Sequence, residues 1–236
     1  MKAKAFQFKK FNLQHSASAH KIGTDGILLA TWVDASKAQS ILDFGSGCGL
    51  IAFILAQRFP KMQIHGLEKD TASFTESLHN LEQFPLAHSI HFLLGELESI
   101  ELPRKYDLII SNPPYFEADT SAPDQRRAQA RTIEPGKLIN YLSILKKQLN
   151  ADGTLALILP STSWQINRPA IFDLGFSVKR ICKVRHQKGK DYKRVLIELS
   201  QKEIEPLATE MDLYVEDGIM RSDAYQRLCK DFLLDQ

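Results

Sequence analysis

The 236-residue chain holds only three cysteines, Cys48, Cys182 and Cys229, far apart and without a CxxC pair. That excludes a disulfide scaffold and offers no zinc-ligand spacing. Its longest apolar stretches, such as Leu50 to Ala56, fall well short of the roughly 20 residues that span a bilayer. The basic N-terminus is not followed by an apolar h-region, so no signal peptide is expected. A reduced, cytoplasmic protein without membrane contact is the expectation. The seven histidines show no H-x-x-x-H spacing, so no metal is expected. No Ser-His-Asp or Cys-His constellation stands out, and no fixed-period repeat occurs. Neither sign of charge dominates, with 30 Lys and Arg against 28 Asp and Glu, a net charge of +2. That balance argues against a histone-like polymer binder, provided the charges are evenly mixed.

What the chain does have is alternation. Ser40-Ile-Leu-Asp-Phe is a short apolar run bounded by a glycine cluster, as expected of a buried strand. Cys48 to Phe59 follows as an amphipathic helix stopped by Pro60. Gln63 to Leu67 reads as a strand, Thr71 to Gln83 as a helix, and Ser89 to Leu94 and Tyr106 to Ser111 as further strands. Lys137 to Leu149 reads as a helix closed by Asp152-Gly153, ahead of an apolar strand over Thr154 to Leu159. Continuous apolar strands between helices imply a parallel sheet covered on both faces. Ser177 to His186 and Tyr192 to Ser200 are joined by a loop so short that they must pair antiparallel, placing a hairpin at the end of the sheet. Ser222 to Leu234 reads as a terminal helix.

Asp43-Phe-Gly-Ser-Gly-Cys-Gly sits where the first strand meets the first helix. Glycines there let the backbone turn tightly and approach a ligand without Cβ clashes. The dinucleotide fingerprint G-x-G-x-x-G does not fit, because position 50 is Leu50 and the third glycine comes one residue early. The spacing is D-x-G-x-G-x-G, which resembles the first motif of Rossmann-like S-adenosylmethionine methyltransferases. Glu68 ends the second strand, where a carboxylate can accept from both ribose hydroxyls. Glu96, after Gly95 at the end of the third, is placed to meet the adenine amino group. The resemblance makes Asp43, Gly45, Ser46, Gly47, Gly49, Glu68, Lys69 and Glu96 contacts of S-adenosylmethionine. The competing reading is a glycine-rich turn with solvated acids at strand ends.

Ser111-Asn-Pro-Pro-Tyr follows the fourth strand on the same sheet edge. Two prolines remove two N–H donors and leave carbonyls free to face a ligand. Methylation of an exocyclic amine needs such acceptors, because the lone pair is delocalised into the ring. The Asn112 side-chain oxygen and the Pro113 carbonyl can take its two N–H groups and turn the lone pair toward the methyl donor. Positioning then supplies much of the acceleration. Asn112, Pro113, Pro114 and Tyr115 are the catalytic candidates, with Tyr115 a face for stacking the flipped base and Asn112 also beside the cofactor.

The two motifs together resemble class I amino-methyltransferases with an N-P-P-Y motif. Lys21-Ile-Gly-Thr-Asp-Gly-Ile-Leu-Leu-Ala before the glycine loop is similar to a segment of the valine-tRNA adenine-37 N6-methyltransferases. The Arg126-Arg-Ala-Gln-Ala-Arg131 stretch and the late hairpin match that family too, so the resemblance covers essentially the whole chain. It implies an α/β, Rossmann-like class I fold with a seven-stranded, mostly parallel, doubly wound sheet. One domain over 1–236 would comprise an arm and cofactor-covering segment (1–39), a core (40–200) and an acidic extension (201–236). It implies that Lys21, Thr24 and Asp25 line the methionine end of the cofactor. Thr24 or Asp25 equally reads as the N-cap of a helix over Gly26 to Trp32.

The even charge conceals segregation. Residues 1–21 carry five lysines and no acid, and Lys179 to Arg194 carries eight basic residues against one acid. Glu198 to Gln236 carries ten acids against four basic residues. Lys9, Lys10, Arg126, Arg127, Arg131, Arg185, Lys188 and Lys190 are the expected phosphate contacts of a tRNA partner. Phe6, Phe8 and Phe11 offer either stacking surfaces or a strand packed on the core. A monomer without an obligate protein partner is expected. The rival substrates are ribosomal guanine N2, DNA adenine N6 and a protein glutamine amide; the rival class is a silent RNA-binding subunit of the same fold.

Overall fold

The structure, a computed structural model, describes residues 5–18, 21–113 and 136–234. Ahead of the sheet come a small antiparallel hairpin, β1 (Phe6–Gln7) with β2 (Asn12–Leu13), and helix α1 (Thr24–Trp32). The alternating core then runs β3 (Ser40–Phe44), α2 (Leu50–Arg58), β4 (Gln63–Glu68), α3 (Thr71–Glu82), β5 (Ile90–Leu94) and β6 (Tyr106–Ser111). It continues with α4 (Lys137–Gln148), β7 (Leu149–Pro160), α5 (Ser161–Asp173), β8 (Ser177–Arg185) and β9 (Tyr192–Ser200), and ends with β10 (Leu207–Asp212) and α6 (Asp223–Cys229).

The main sheet has eight strands in the order β10-β8-β9-β7-β6-β3-β4-β5. β9 runs antiparallel to both β7 and β8, while the other adjacent pairs are parallel. Seven strands are those expected; the eighth, β10, comes from the acidic segment and pairs parallel with β8. The β8–β9 hairpin therefore does not end the sheet. β10 is mostly exposed and lacks an apolar face, so no hydrophobic period marks it. Its Glu210 and Asp212 suit an edge strand, where charge blocks further pairing.

The strands are apolar throughout because both faces are covered. Ile41, Ile64, Leu108 and Ile110 pack in one core with α1 and α2. Leu42, Ile109, Leu155 and Leu157 alternate with them into a second core under α4 and α5. Helix α5 leaves no amphipathic signature in the sequence: it contains Pro169 and buries only Trp164 and Ile171, too thin a stripe to mark a helix.

One open alternative is settled and two further expectations are corrected. Phe8 and Phe11 are buried, with Phe11 against Phe53 and Phe84, so they are core and not stacking platforms for bases. The α1 N-cap is Gly23, with Thr24 and Asp25 already in the first turn. The terminal helix is shorter than expected, stopping at Cys229; Phe232 and Leu233 beyond it still join the first core.

Candidate active site

The strands carrying candidate cofactor residues end at one edge of the sheet. β3 pairs with β4 and β6, and β4 with β5, so Phe44, Glu68, Leu94 and Ser111 finish side by side. From β3 the chain winds one way to β4 and β5, then crosses to β6 and β7 on the other side. The crevice at such a reversal is where open α/β sheets bind ligands.

The glycine loop leaves β3 into this crevice. At Gly49 φ is 92°, and a Cβ would stand 2.5 Å from Phe53 Cε2 and 2.7 Å from Phe92 Cζ. Gly45 and Gly47 also have positive φ, but the space where their side chains would stand is open, leaving bare backbone for a ligand to approach. β4 pins the loop: the Leu67 carbonyl accepts from the Gly45 and Ser46 N–H groups at 2.9 and 3.1 Å. Glu68 Oε2 accepts from the Gly47 N–H, and Oε1 from those of Lys69 and Asp70, each at 2.8 Å. The Gly95 N–H donates to the Glu68 carbonyl at 3.0 Å, which brings exposed Glu96 close.

Asp43 is fully buried on β3. Its Oδ2 accepts from the Ala52 N–H at 3.1 Å, and its Oδ1 has no partner among the described residues. Burial pushes its pKa up to about 8; the Ala52 hydrogen bond opposes that and the Glu68 charge adds to it.

Across the crevice, Ser111 Oγ donates to the Phe44 carbonyl at 2.8 Å. Half-buried Asn112 and buried Pro113 follow. A Cβ on Gly26 would stand 2.8 Å from Leu50 Cδ2 and 3.9 Å from Asn112 Nδ2, so a glycine lets α1 press against the start of α2, just after the glycine loop, and against Asn112. Spacing along the chain marks neither Ser111 nor Gly26; the β3–β6 register makes Ser111 the neighbour of Phe44. Pro114, Tyr115, Arg126, Arg127 and Arg131 lie outside the described residues.

Of the three arm residues expected at the cofactor, Thr24 and Asp25 open α1 two positions or less from Gly26. Lys21 Nζ donates to the His15 and Ser16 carbonyls at 2.5 and 2.8 Å, so its ammonium braces the arm. Asp25 Oδ2 accepts from Arg194 Nε at 2.8 Å. Arg194 lies on β9 opposite Pro160, at the same sheet edge, and sequence spacing gave no hint of it.

A family model described as methyltransferase small domain matches residues 11–134, a span that holds every one of these motifs. The chain is 34% identical over 232 residues to a tRNA1(Val) (adenine(37)-N6)-methyltransferase of Actinobacillus succinogenes, covering 97% of both chains. It is 34% identical to the protein of the same name from Photorhabdus laumondii, over 97% of this chain and 95% of that one. The chain belongs to the tRNA1(Val) (adenine(37)-N6)-methyltransferase family. Its fold is similar to that of an Agrobacterium tumefaciens protein described as a predicted O-methyltransferase, with a TM-score of 0.66 over 88% of this chain and 96% of that one. At 17% identity that likeness speaks for the fold alone.

As a methyltransferase of this family, the protein draws its methyl group from S-adenosylmethionine, and the crevice fits that cofactor. Open backbone at Gly45 and Gly47 and the unpartnered Asp43 Oδ1 call for a ligand with donors of its own. Glu68 already receives three backbone N–H groups, leaving about one of a carboxylate's four acceptor sites for a ligand, where the expected pair of ribose hydroxyls needs two.

The expected RNA contacts fall in different places on this methyltransferase. Lys188 and Lys190 are exposed on the β8–β9 turn, Lys188 with Glu216 at 3.8 Å. Arg185 is engaged internally, with Nε 2.5 Å from Asp212 Oδ1 and a nitrogen donating to the Tyr192 hydroxyl at 3.0 Å. Lys9 and Lys10 are exposed beside the far end of α2: the Lys9 N–H bonds the Phe232 carbonyl and Gln57 bonds that of Asp231. That is a helix length, about 12 Å, from the glycine loop.

Proposed function

We propose that this methyltransferase methylates the exocyclic N6 amine of adenine-37, beside the anticodon, in a valine tRNA. The observation that carries the reading is the placement of Asn112: half-buried at the reversal of the sheet, fixed behind by the Ser111–Phe44 bond and flanked by α1. The names of relatives matched over nearly the whole chain support the substrate.

When bound, S-adenosylmethionine supplies a methyl group on a sulfonium, which needs no protein nucleophile. Asp43, Gly45, Ser46, Gly47, Gly49, Glu68, Lys69 and Glu96 would hold it. The Asn112 side-chain oxygen and the Pro113 carbonyl accept the two N–H groups of the amine and orient its lone pair into the crevice. Methylation makes that nitrogen acidic, so no strong base is required. Tyr115 would stack the flipped base. Lys188 and Lys190, at the same sheet edge, would follow the phosphates, with Arg126, Arg127 and Arg131.

The test is methyl transfer from labelled S-adenosylmethionine to tRNA from cells lacking this gene, followed by nucleoside analysis. N6-methyladenosine at one site of a valine tRNA is expected. Label on guanine N2, or only on DNA or protein, overturns the substrate. The same reading has the enzyme working in the cytoplasm as a monomer without an obligate protein partner, so light scattering should return about one 26.7 kDa chain.

A further inference from the structure

The inward face of α3 is polar. Ser73, Glu76, Ser77 and Asn80, spaced for one side of a helix, are all buried. A carboxylate there is costly unless hydrogen bonds replace its water. Glu76 Oε1 accepts from Ser16 Oγ at 3.2 Å and the Ala17 N–H at 2.9 Å. Its Oε2 accepts from the Ser18 N–H at 2.9 Å and from Ser18 Oγ at 2.5 Å. Burial pushes this carboxyl up, yet the hydrogen bonds from Ser18, Ala17 and Ser16 outweigh it and hold it below the ordinary carboxylate range.

One turn further along, Asn80 joins two other segments. Its Oδ1 accepts from the Gln14 N–H at 2.8 Å, and its Nδ2 donates to the carbonyls of Gln14 at 2.9 Å and Cys48 at 3.0 Å. Cys48 belongs to the glycine loop. The Ile22 N–H donates to His15 Nδ1 at 3.3 Å, which ties His15 to the residues just before α1, the helix that approaches Asn112 closely.

We propose that Glu76 and Asn80 are positioning residues for the cofactor crevice, clamping a strap of residues 14–18 to α3 and the glycine loop and so holding that loop in place relative to α1. The clamp rests on the cofactor reading above. Neither residue lies among the candidate cofactor contacts: Glu76 acts through the strap, and Asn80 through the strap and the Cys48 carbonyl. Without Glu76 the Ala17 and Ser18 N–H groups lose their acceptor, while the loop keeps its bonds to Leu67 and Glu68. Cofactor affinity then falls, and the acceptors around Asn112 stay in place.

Calorimetric titration with S-adenosylmethionine, beside turnover at saturating cofactor, separates these effects. Glu76→Ala and Asn80→Ala should each weaken binding about tenfold, equivalent to 1.4 kcal/mol, and leave kcat within about twofold. Glu76→Gln, which keeps one acceptor oxygen, should recover part of the loss. In the wild type, hydrogen exchange at the Ala17 and Ser18 amides should slow when S-adenosylmethionine is added. Unchanged affinity in Glu76→Ala and Glu76→Gln, or strap exchange indifferent to the cofactor, overturns the clamp alone. Should Glu76→Ala fail to fold, Glu76→Gln and the wild-type exchange decide the matter. A wild type that binds no S-adenosylmethionine overturns the cofactor reading and the clamp with it.

Discussion

Ser111 donates its hydroxyl hydrogen to the Phe44 carbonyl at 2.8 Å, tying the last residue of β6 to the last residue of β3. Asn112 and Gly45 each follow one residue further on, so one bond sets the spacing between the two motifs. Ser111→Ala leaves that carbonyl short of a donor in a buried place, at a cost of about 1–2 kcal/mol. Turnover should fall while the fold survives. Urea unfolding beside steady-state kinetics checks this, and unchanged kcat would argue against the bond's part in placing Asn112.

Asn112→Ala removes an acceptor for the target amine without touching the glycine loop. Turnover should drop by at least about a hundredfold, in line with the loss of one donor or acceptor at a reacting centre. S-adenosylmethionine binding measured by calorimetry should change little. An equal loss of both would assign Asn112 to cofactor binding only.

The Asp43 carboxyl titrates near 8 in the folded protein and near its ordinary value, about 3.9, when unfolded. A folded pKa raised in this way stabilises the native state fully below pH 4 and loses that contribution as pH rises toward 8. Asp43→Asn cannot lose a proton. The difference in melting temperature, variant minus wild type without cofactor, should therefore grow in the variant's favour from pH 5 to pH 8. A flat difference would mean that Asp43 is charged throughout.

Gly49 and Gly47 separate packing from backbone conformation. Gly47→Ala meets only the positive φ, about 1–2 kcal/mol. Gly49→Ala adds contacts under 3 Å with Phe53 and Phe92, and overpacking brings another 1–3 kcal/mol. Chemical denaturation should rank Gly49→Ala well below Gly47→Ala. Equal stabilities would show that the two rings move aside freely.

The exposed hairpin lysines and the engaged arginine should differ in kind. Lys188→Ala and Lys190→Ala should each weaken tRNA binding and lower its salt slope by about one phosphate contact. Arg185→Ala breaks the ion pair with Asp212 that adds to the backbone pairing of β8 and β10, so its main effect should be a modestly lower melting temperature. Filter binding across a salt series, with thermal melts of each variant, distinguishes the two.

The sequence by itself determined the alternating core, the D-x-G-x-G-x-G loop after β3, the N-P-P-Y motif after β6 and the family. These are legible because each depends on neighbours in the chain: apolar runs fix strands, glycines permit positive φ, and prolines remove N–H groups. Tertiary structure alone decided the rest. β10 has no apolar period because it is an exposed edge, held by backbone pairing with β8. Phe8 and Phe11 are core because the arm folds onto α2 and α3, which an interleaving with lysines does not reveal. Lys21 braces the arm, Asp25 meets Arg194 from 169 residues away, and Glu76 holds Ala17 and Ser18. Such pairings depend on which strands and helices become neighbours, and spacing along the chain carries no record of that.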